Sequence, residues 1–327
     1  RAFRRAWGLF FSYDGRAVHK GGSYVCSAKV YSYFHKLIYI CKSLPQCTTV
    51  YKDKNFMFVS MKYRRLFAVI ASFSLLFALC LGFFSATEAE RQARELARRI
   101  VPLYADKIDF RQNDDTTIDI FSIYSEGSKL VIEGNDAISM AAGLNHYLKN
   151  YCGVTVSWYA FEPVQYPAQM PAVETPVRVE ARVKDRFFLN YCTFGYTMPW
   201  WKWEDWERFI DWMALNGINM PLANTGQEAV WQKVWRRHGL SDDEIRSYFT
   251  GPAHLAWHRM CNIDHYDGPL PQTWIDSQAK LQKRILKRER GLGMRPVLQA
   301  FGGHVPEQLK EIYPEAQITD IPSWGGF

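Results

Sequence analysis

Residues 186–222, RFFLNYCTFGYTMPWWKWEDWERFIDWMALNGINMPL, decide the fold. Residues 186–191 form a short aromatic and apolar run, the composition of a strand. Residues 203–217 place Phe209, Ile210, Met213 and Ala214 on one face, the spacing of an amphipathic helix, and Gly217 supplies its stop. Residues 218–222 are a second short apolar run. A strand, a full helix and another strand in that order require the two strands to lie parallel, because a hairpin turn cannot hold such a helix.

Toward the carboxyl end the alternation continues after a long insertion, 224–271. It holds a helix at 227–238 and another beginning after Ser241, where Glu244 completes a capping box. Residues 274–291 read as a strongly amphipathic helix, 295–301 as a third strand containing Pro296, and 306–313 as a short helix. Three strand–helix units are part of a barrel that closes with eight. Three parallel strands alone leave an open edge and bare apolar faces, so residues 183–327 are expected to be the opening of a barrel that continues past Phe327.

Toward the amino end, residues 90–108 read as a helix interrupted by Pro102. Strands are expected at 118–124 and 130–133, with Glu126-Gly127-Ser128 as turn material, then a helix at 136–151 capped by Asn135 or Asp136, and a strand at 154–158. These make a small α/β domain, 90–162. Pro163, Pro167, Pro171 and Pro176 mark an extended linker, 163–182. The fold class is α/β: a small α/β domain followed by the first three βα units of a (β/α)8 TIM barrel.

Charge is divided unevenly. Residues 1–65 hold 13 Lys and Arg against Asp14 and Asp53, whereas the remainder holds 27 against 31 acids. The folded part is therefore mildly acidic, with no basic face for nucleic acid. Within 61–89, Met61-Lys-Tyr-Arg-Arg65 precedes the apolar run 66–84 and the small residues Ser85-Ala86-Thr87, the pattern of a secretory signal peptide. An uncleaved anchor is the alternative reading, since the run is long enough to cross a bilayer. Lipidation at Cys80 fits less well because Leu79 is bulky. The mature protein is then expected to be periplasmic or secreted, touching a membrane only through the signal segment. Residues 1–60 read as an unstructured or spurious upstream extension, with a small basic domain as the alternative. The seven Cys are widely spaced and form neither a disulfide framework nor a metal motif. There is no His-Glu-x-x-His, and Gly291-x-Gly293 does not extend to a phosphate loop, so neither metal nor cofactor is expected.

The 12 Trp and 18 Tyr fit either an aromatic core or a surface that stacks on sugar rings. Barrel chemistry sits at the carboxyl ends of strands. Those ends are Asn190, Cys192 and Tyr196; residues 224–228, Asn-Thr-Gly-Gln-Glu; and residues 302–307, Gly-Gly-His-Val-Pro-Glu. Glu228 and Glu307 each open a helix, where a carboxylate favours the dipole, and are read as pocket support more than as acids. His304 between Gly303 and Val305 reads as an organiser of the pocket floor. Glu289, Glu311 and Glu315 read as solvated helix faces. Trp200, Trp201, Trp203 and Trp206 read as packing where the first loop enters its helix.

These words, with Asp211-Trp-Met-Ala-Leu-Asn-Gly-Ile-Asn219, Gly226-Gln-Glu-Ala229, Phe249-Thr-Gly-Pro-Ala253, Leu255-Ala-Trp257, Asp267-Gly-Pro-Leu-Pro271, Gly303-His-Val-Pro-Glu307 and Ser323-Trp-Gly325, resemble the α-N-acetylglucosaminidases, glycoside hydrolase family 89. The resemblance is close over 186–327 and covers the preceding domain by pattern. It implies a retaining exo-enzyme that removes terminal non-reducing α-linked N-acetylglucosamine from a glycan or polysaccharide. Retention requires two carboxyl groups about 5–5.5 Å apart. The family's pair is expected past Phe327, which leaves no catalytic residue within 1–327. The resemblance also implies a sugar-contacting set: Asn190, Cys192, Trp257, Met260 and Trp324. A non-catalytic carbohydrate-binding protein on the same scaffold is the competing reading.

Overall fold

The computed structural model describes residues 86–114, 117–160 and 164–320. The signal segment up to residue 85, the upstream extension and Trp324 lie outside these residues.

Helix α1, Glu88–Ile100, starts at a complete capping box in which Thr87 and Glu90 bond each other's backbone N–H. It stops ahead of Pro102, the interruption read within 90–108, and does not run on to Ile108. Residues Ile108–Gln112 form strand β1, which pairs in parallel with β3, Lys129–Gly134. The sequence signal was misleading because the buried Ile108 and Phe110 alternate within too short a run to separate from the helix before it. Strand β2, Ile120–Glu126, joins β3 antiparallel, across a turn in which Gly127 takes a positive φ of 61°. Helix α2, Ala137–Asn150, is capped by Asp136, whose side chain accepts from the Ser139 N–H.

The strand expected at 154–158 is absent. The fourth strand, β4, Val177–Glu180, instead comes from the Pro-rich stretch and pairs with β2, giving the order β1-β3-β2-β4. Trp158 is part of an aromatic cluster with its ring centroid 5.5 Å from Trp201 and 5.3 Å from Phe209. Burying that indole against several rings outweighs the weak strand preference of its neighbours.

The parallel strands are short. Strand β5, Phe187–Phe188, pairs with β6, Met220–Pro221. A single parallel bridge, Leu222 to Val297, adds the third. Backbone bonds from Arg295 to Asn219, from Val297 to Pro221 and from Ala223 to Val297 hold it in register. Pro296 lacks a donor, which limits the expected strand at 295–301 to this bridge. Helix α3, Tyr191–Thr197, begins directly after the first strand, and α4, Trp203–Leu215, returns beside it. The insertion folds as α5, Glu228–Arg237, α6, Asp242–Tyr248, and α7, Leu255–Arg259. Ser241 and Glu244 form the expected capping box of α6. Helix α8, Gln272–Gly291, and the short α9, Leu309–Ile312, complete the order.

One continuous core joins the amino-terminal layer to the barrel portion, from Leu96 and Ile138 to Phe209 and Ile285. A second, smaller core around Ile245, Tyr248, Leu255 and Ile275 lies under the insertion. Asp211 of α4 ties the first core together. Its buried carboxylate accepts from Arg99 of α1 at 2.5 and 2.9 Å and from Arg288 of α8 at 2.8 Å.

Candidate functional site

The strand ends meet at α7, a five-residue helix whose successive side chains face different partners. Trp257 packs on α3. A Cβ at Gly195 would stand 2.5 Å from the Trp257 ring and 2.9 Å from the Ala253 carbonyl, so only glycine lets the two helices approach this closely. Tyr196, on the next position of α3, meets Trp257 edge-on at 6.0 Å between centroids. Asn190 caps α3 by accepting from the Cys192 N–H at 2.8 Å. Cys192 is half-buried in the first turn of α3, and Met260 is half-buried at the C-cap of α7.

Arg259 reaches the second strand end. Its Nε donates to Glu228 Oε1 at 2.8 Å, with both side chains 1 % exposed, and its guanidinium lies 4.5 Å over the Phe194 ring. Glu228 is thus held in a buried ion pair at the start of α5. An isolated carboxylate could not stay charged there, so the two residues require each other. Asn224 Nδ2, Thr225 Oγ1, Glu228 Oε2 and both Nη atoms of Arg259 are buried without a hydrogen-bond partner among the described residues.

His258 lies between the third strand end and the insertion core. Its ring is within 5.1 Å of His304 and 4.8 Å of Tyr248, centroid to centroid. Burial holds its pKa well below the ordinary histidine value, so it stays neutral. His304 Nε2 bonds Asp264 Oδ2 at 3.0 Å, and this hydrogen bond holds the Asp264 carboxyl below its usual range. His304 is therefore oriented by a carboxylate. Cys261 takes a positive φ of 63°, turning the chain out of α7. A Cβ at Gly302 would stand 2.7 Å from its sulfur, so the third strand end passes directly under this turn.

Glu307 is exposed ahead of α9, and Glu311 and Glu315 are exposed as expected. Glu289 is not solvated: it is 1 % exposed on α8, and burial raises its carboxyl to about 8. It shares a face with buried Gln278, Gln282 and Ile285, at helical spacing, so the inward face of α8 is partly polar. That mixture concealed the face from a hydrophobic-periodicity reading. Sequence reasoning also missed Arg259, His258 and Asp264. The one signal was a charged residue inside the short apolar run Leu255-Ala-Trp-His-Arg-Met260.

Among the described residues, no group of three His, Cys, Asp or Glu side chains could hold a metal ion. The enclosed hollow of the amino-terminal layer, lined by Val101, Leu144, Tyr147 and Met170, is apolar and lies away from the strand ends.

A family model described as the alpha-N-acetylglucosaminidase (NAGLU) tim-barrel domain matches residues 186–327, and one described as the NAGLU N-terminal domain matches residues 91–172. The human alpha-N-acetylglucosaminidase is 44 % identical over 211 residues, covering 64 % of this chain and 28 % of the human protein. A solved family 89 glycoside hydrolase from Clostridium perfringens, in complex with 2-acetamido-1,2-dideoxynojirmycin, is 35 % identical. The match has a TM-score of 0.69 and covers 73 % of this chain and 28 % of that one. A form from the same organism in complex with its substrate GlcNAc-alpha-1,4-galactose gives the same identity and TM-score and is covered over 27 %. The chain thus spans less than a third of these relatives' length. With both of its folded segments matched by models of one family, the chain belongs to the α-N-acetylglucosaminidases of glycoside hydrolase family 89.

Proposed function

We propose that this chain carries part of the sugar pocket of a retaining exo-glycosidase acting on terminal, non-reducing α-linked N-acetylglucosamine. The observation that carries the reading is the meeting of three strand ends at α7: α3 against Trp257, Glu228 against Arg259, and Gly302 with His304 against Cys261 and His258. The solved relative's substrate, GlcNAc-alpha-1,4-galactose, has this kind of terminal sugar. In this reading Asn190 offers its amide nitrogen to a sugar hydroxyl. The Trp257 indole covers the apolar face of the ring, and Cys192 and Met260 fill space beside the acetamido methyl. Trp324 completes the wall. Tyr196, Glu228, His304 and Glu307 support it.

We assign the two catalytic carboxyl groups to no residue of this chain. Glu228 is neutralised by Arg259, and Glu307 stands in solvent. The same two facts favour the second reading, a carbohydrate-binding protein on the same scaffold. We also propose that residues 61–89 direct the protein out of the cytoplasm, with the mature amino terminus near Ala86–Ala89; amino-terminal sequencing of the exported protein reads this directly.

The function is tested by titrating the purified chain with methyl α-N-acetylglucosaminide, its β anomer and methyl α-glucoside. Saturable binding of the α-linked acetylated sugar over both others is expected. Equal response to all three, or none, sinks the proposal. Release of an aryl alcohol from an aryl α-N-acetylglucosaminide by a form extended past Phe327 separates the enzyme from the binder.

A further inference from the structure

We propose that Arg259 is a positioning residue: through Glu228 and Phe194 it sets where Trp257 and Met260 stand, and it does so without adding to the stability of the fold. The proposal rests on the pocket reading above for its functional meaning, and Arg259 itself touches no sugar in it. Trp257 and Arg259 belong to α7, and Met260 is its C-cap. Isolated helices shorter than about 12 residues are marginal in water, so a helix of five residues cannot hold itself in place. Its placement must come from side chains.

Two side chains of α7 grip α3 at consecutive positions. The Trp257 ring closes on Gly195, and the Arg259 guanidinium lies over the ring of the fully buried Phe194. Arg259 then crosses to the start of α5, where Glu228 accepts from its Nε. Leu255 and Ala256 are also buried, but apolar contact of that kind holds a helix down without direction. A hydrogen bond and a planar guanidinium face do fix a direction. All of these contacts lie within residues 194–259, and the ion pair is already closed to solvent there.

Stability does not account for the pair. Glu228 Oε2 and both Nη atoms of Arg259 are desolvated without a hydrogen-bond partner among the described residues, against the one bond that joins the two side chains. Two apolar side chains of similar volume would fill the same space and leave no such atom, and replacements of this kind are often neutral or stabilising. What they lack is direction. An ion pair that joins α3, α5 and α7 and gives no advantage in stability over an apolar counterpart serves to specify geometry.

The experiment replaces both partners at once, because removing either alone strands the other's charge in the core. The chain and its E228L/R259M variant are labelled with 5-fluorotryptophan, and the Trp257 fluorine resonance is identified by its loss in W257F. The urea midpoint of the double variant is expected to match or exceed that of the chain. Its Trp257 resonance is expected to shift or split, and its affinity for methyl α-N-acetylglucosaminide to fall roughly fivefold or more. R259K keeps the charge but loses the planar face over Phe194, and is expected to disturb the same resonance. An unaltered Trp257 resonance or an unaltered affinity in the double variant overturns the proposal. A double variant that fails to fold, or loses stability and affinity together, also overturns it by making the pair structural support. If the unsubstituted chain binds no sugar, the pocket reading falls, and the fluorine resonance still upholds or overturns Arg259 as the residue that places Trp257.

Discussion

Trp257 is held by Gly195 and touched edge-on by Tyr196, yet it is only half-buried. Its replacement should affect binding and folding unequally. Trp257→Ala is expected to lower affinity for the α-linked N-acetylglucosaminide roughly tenfold or more. It should cost only about 1–2 kcal/mol of stability, below the range for a fully buried Trp. Titration beside denaturant unfolding checks this, and matched losses would return Trp257 to the core. Trp257 and Asn190 were singled out in the sequence through the resemblance, and His304 through its place at a strand end. Arg259 and Asp264 were not: their roles come from partners distant in sequence, Glu228 and His304, which no local pattern announces.

At the scale of the element, α8 joins a well-marked helix to an unreadable inward face. Glu289 is pressed into that face with its carboxyl raised to about 8 by burial. The unfolded chain ionises this group in the ordinary carboxylate range, while the folded chain keeps the proton. Stability linked to Glu289 is therefore full at low pH, declines as pH rises through that range, and is fully lost above about 8. Glu289→Gln should flatten the decline and raise stability at pH 8 by an amount on the order of a few kcal/mol. Thermal unfolding of both forms from pH 5 to 9 measures it, and parallel curves would refute it. Elements with local punctuation were legible: α6 by Ser241 and Glu244, and α2 by Asp136. The short parallel strands were located with less precision because two-residue pairings leave almost no periodic trace, and β4 was hidden among prolines.

Across the whole molecule, the amino-terminal layer and the barrel portion share one core, and Asp211 joins α1, α4 and α8 through two arginines. An amide in its place removes the counter-charge of Arg99 and Arg288 and turns one of the two acceptor oxygens into a donor that faces them. Asp211→Asn is expected to destabilise the chain by about 3 kcal/mol, read from the urea midpoint, whereas a loss below about 0.5 kcal/mol would make the network ornamental. The general plan, a small α/β layer before parallel βα units, was legible from the alternation of residues 186–222. The shared core was not, because Trp158 and Phe209 declare nothing of each other until the chain is folded.

The arrangement of α7 restricts how such a protein can change. Three neighbouring residues of one short helix each seat a different wall, so their angular phase is fixed by all three at once. Gaining or losing one residue just ahead of Leu255 would turn the whole set by about 100°. Divergence at this site is therefore confined to swapping side chains in place, and length variation is pushed outward into the rest of the insertion.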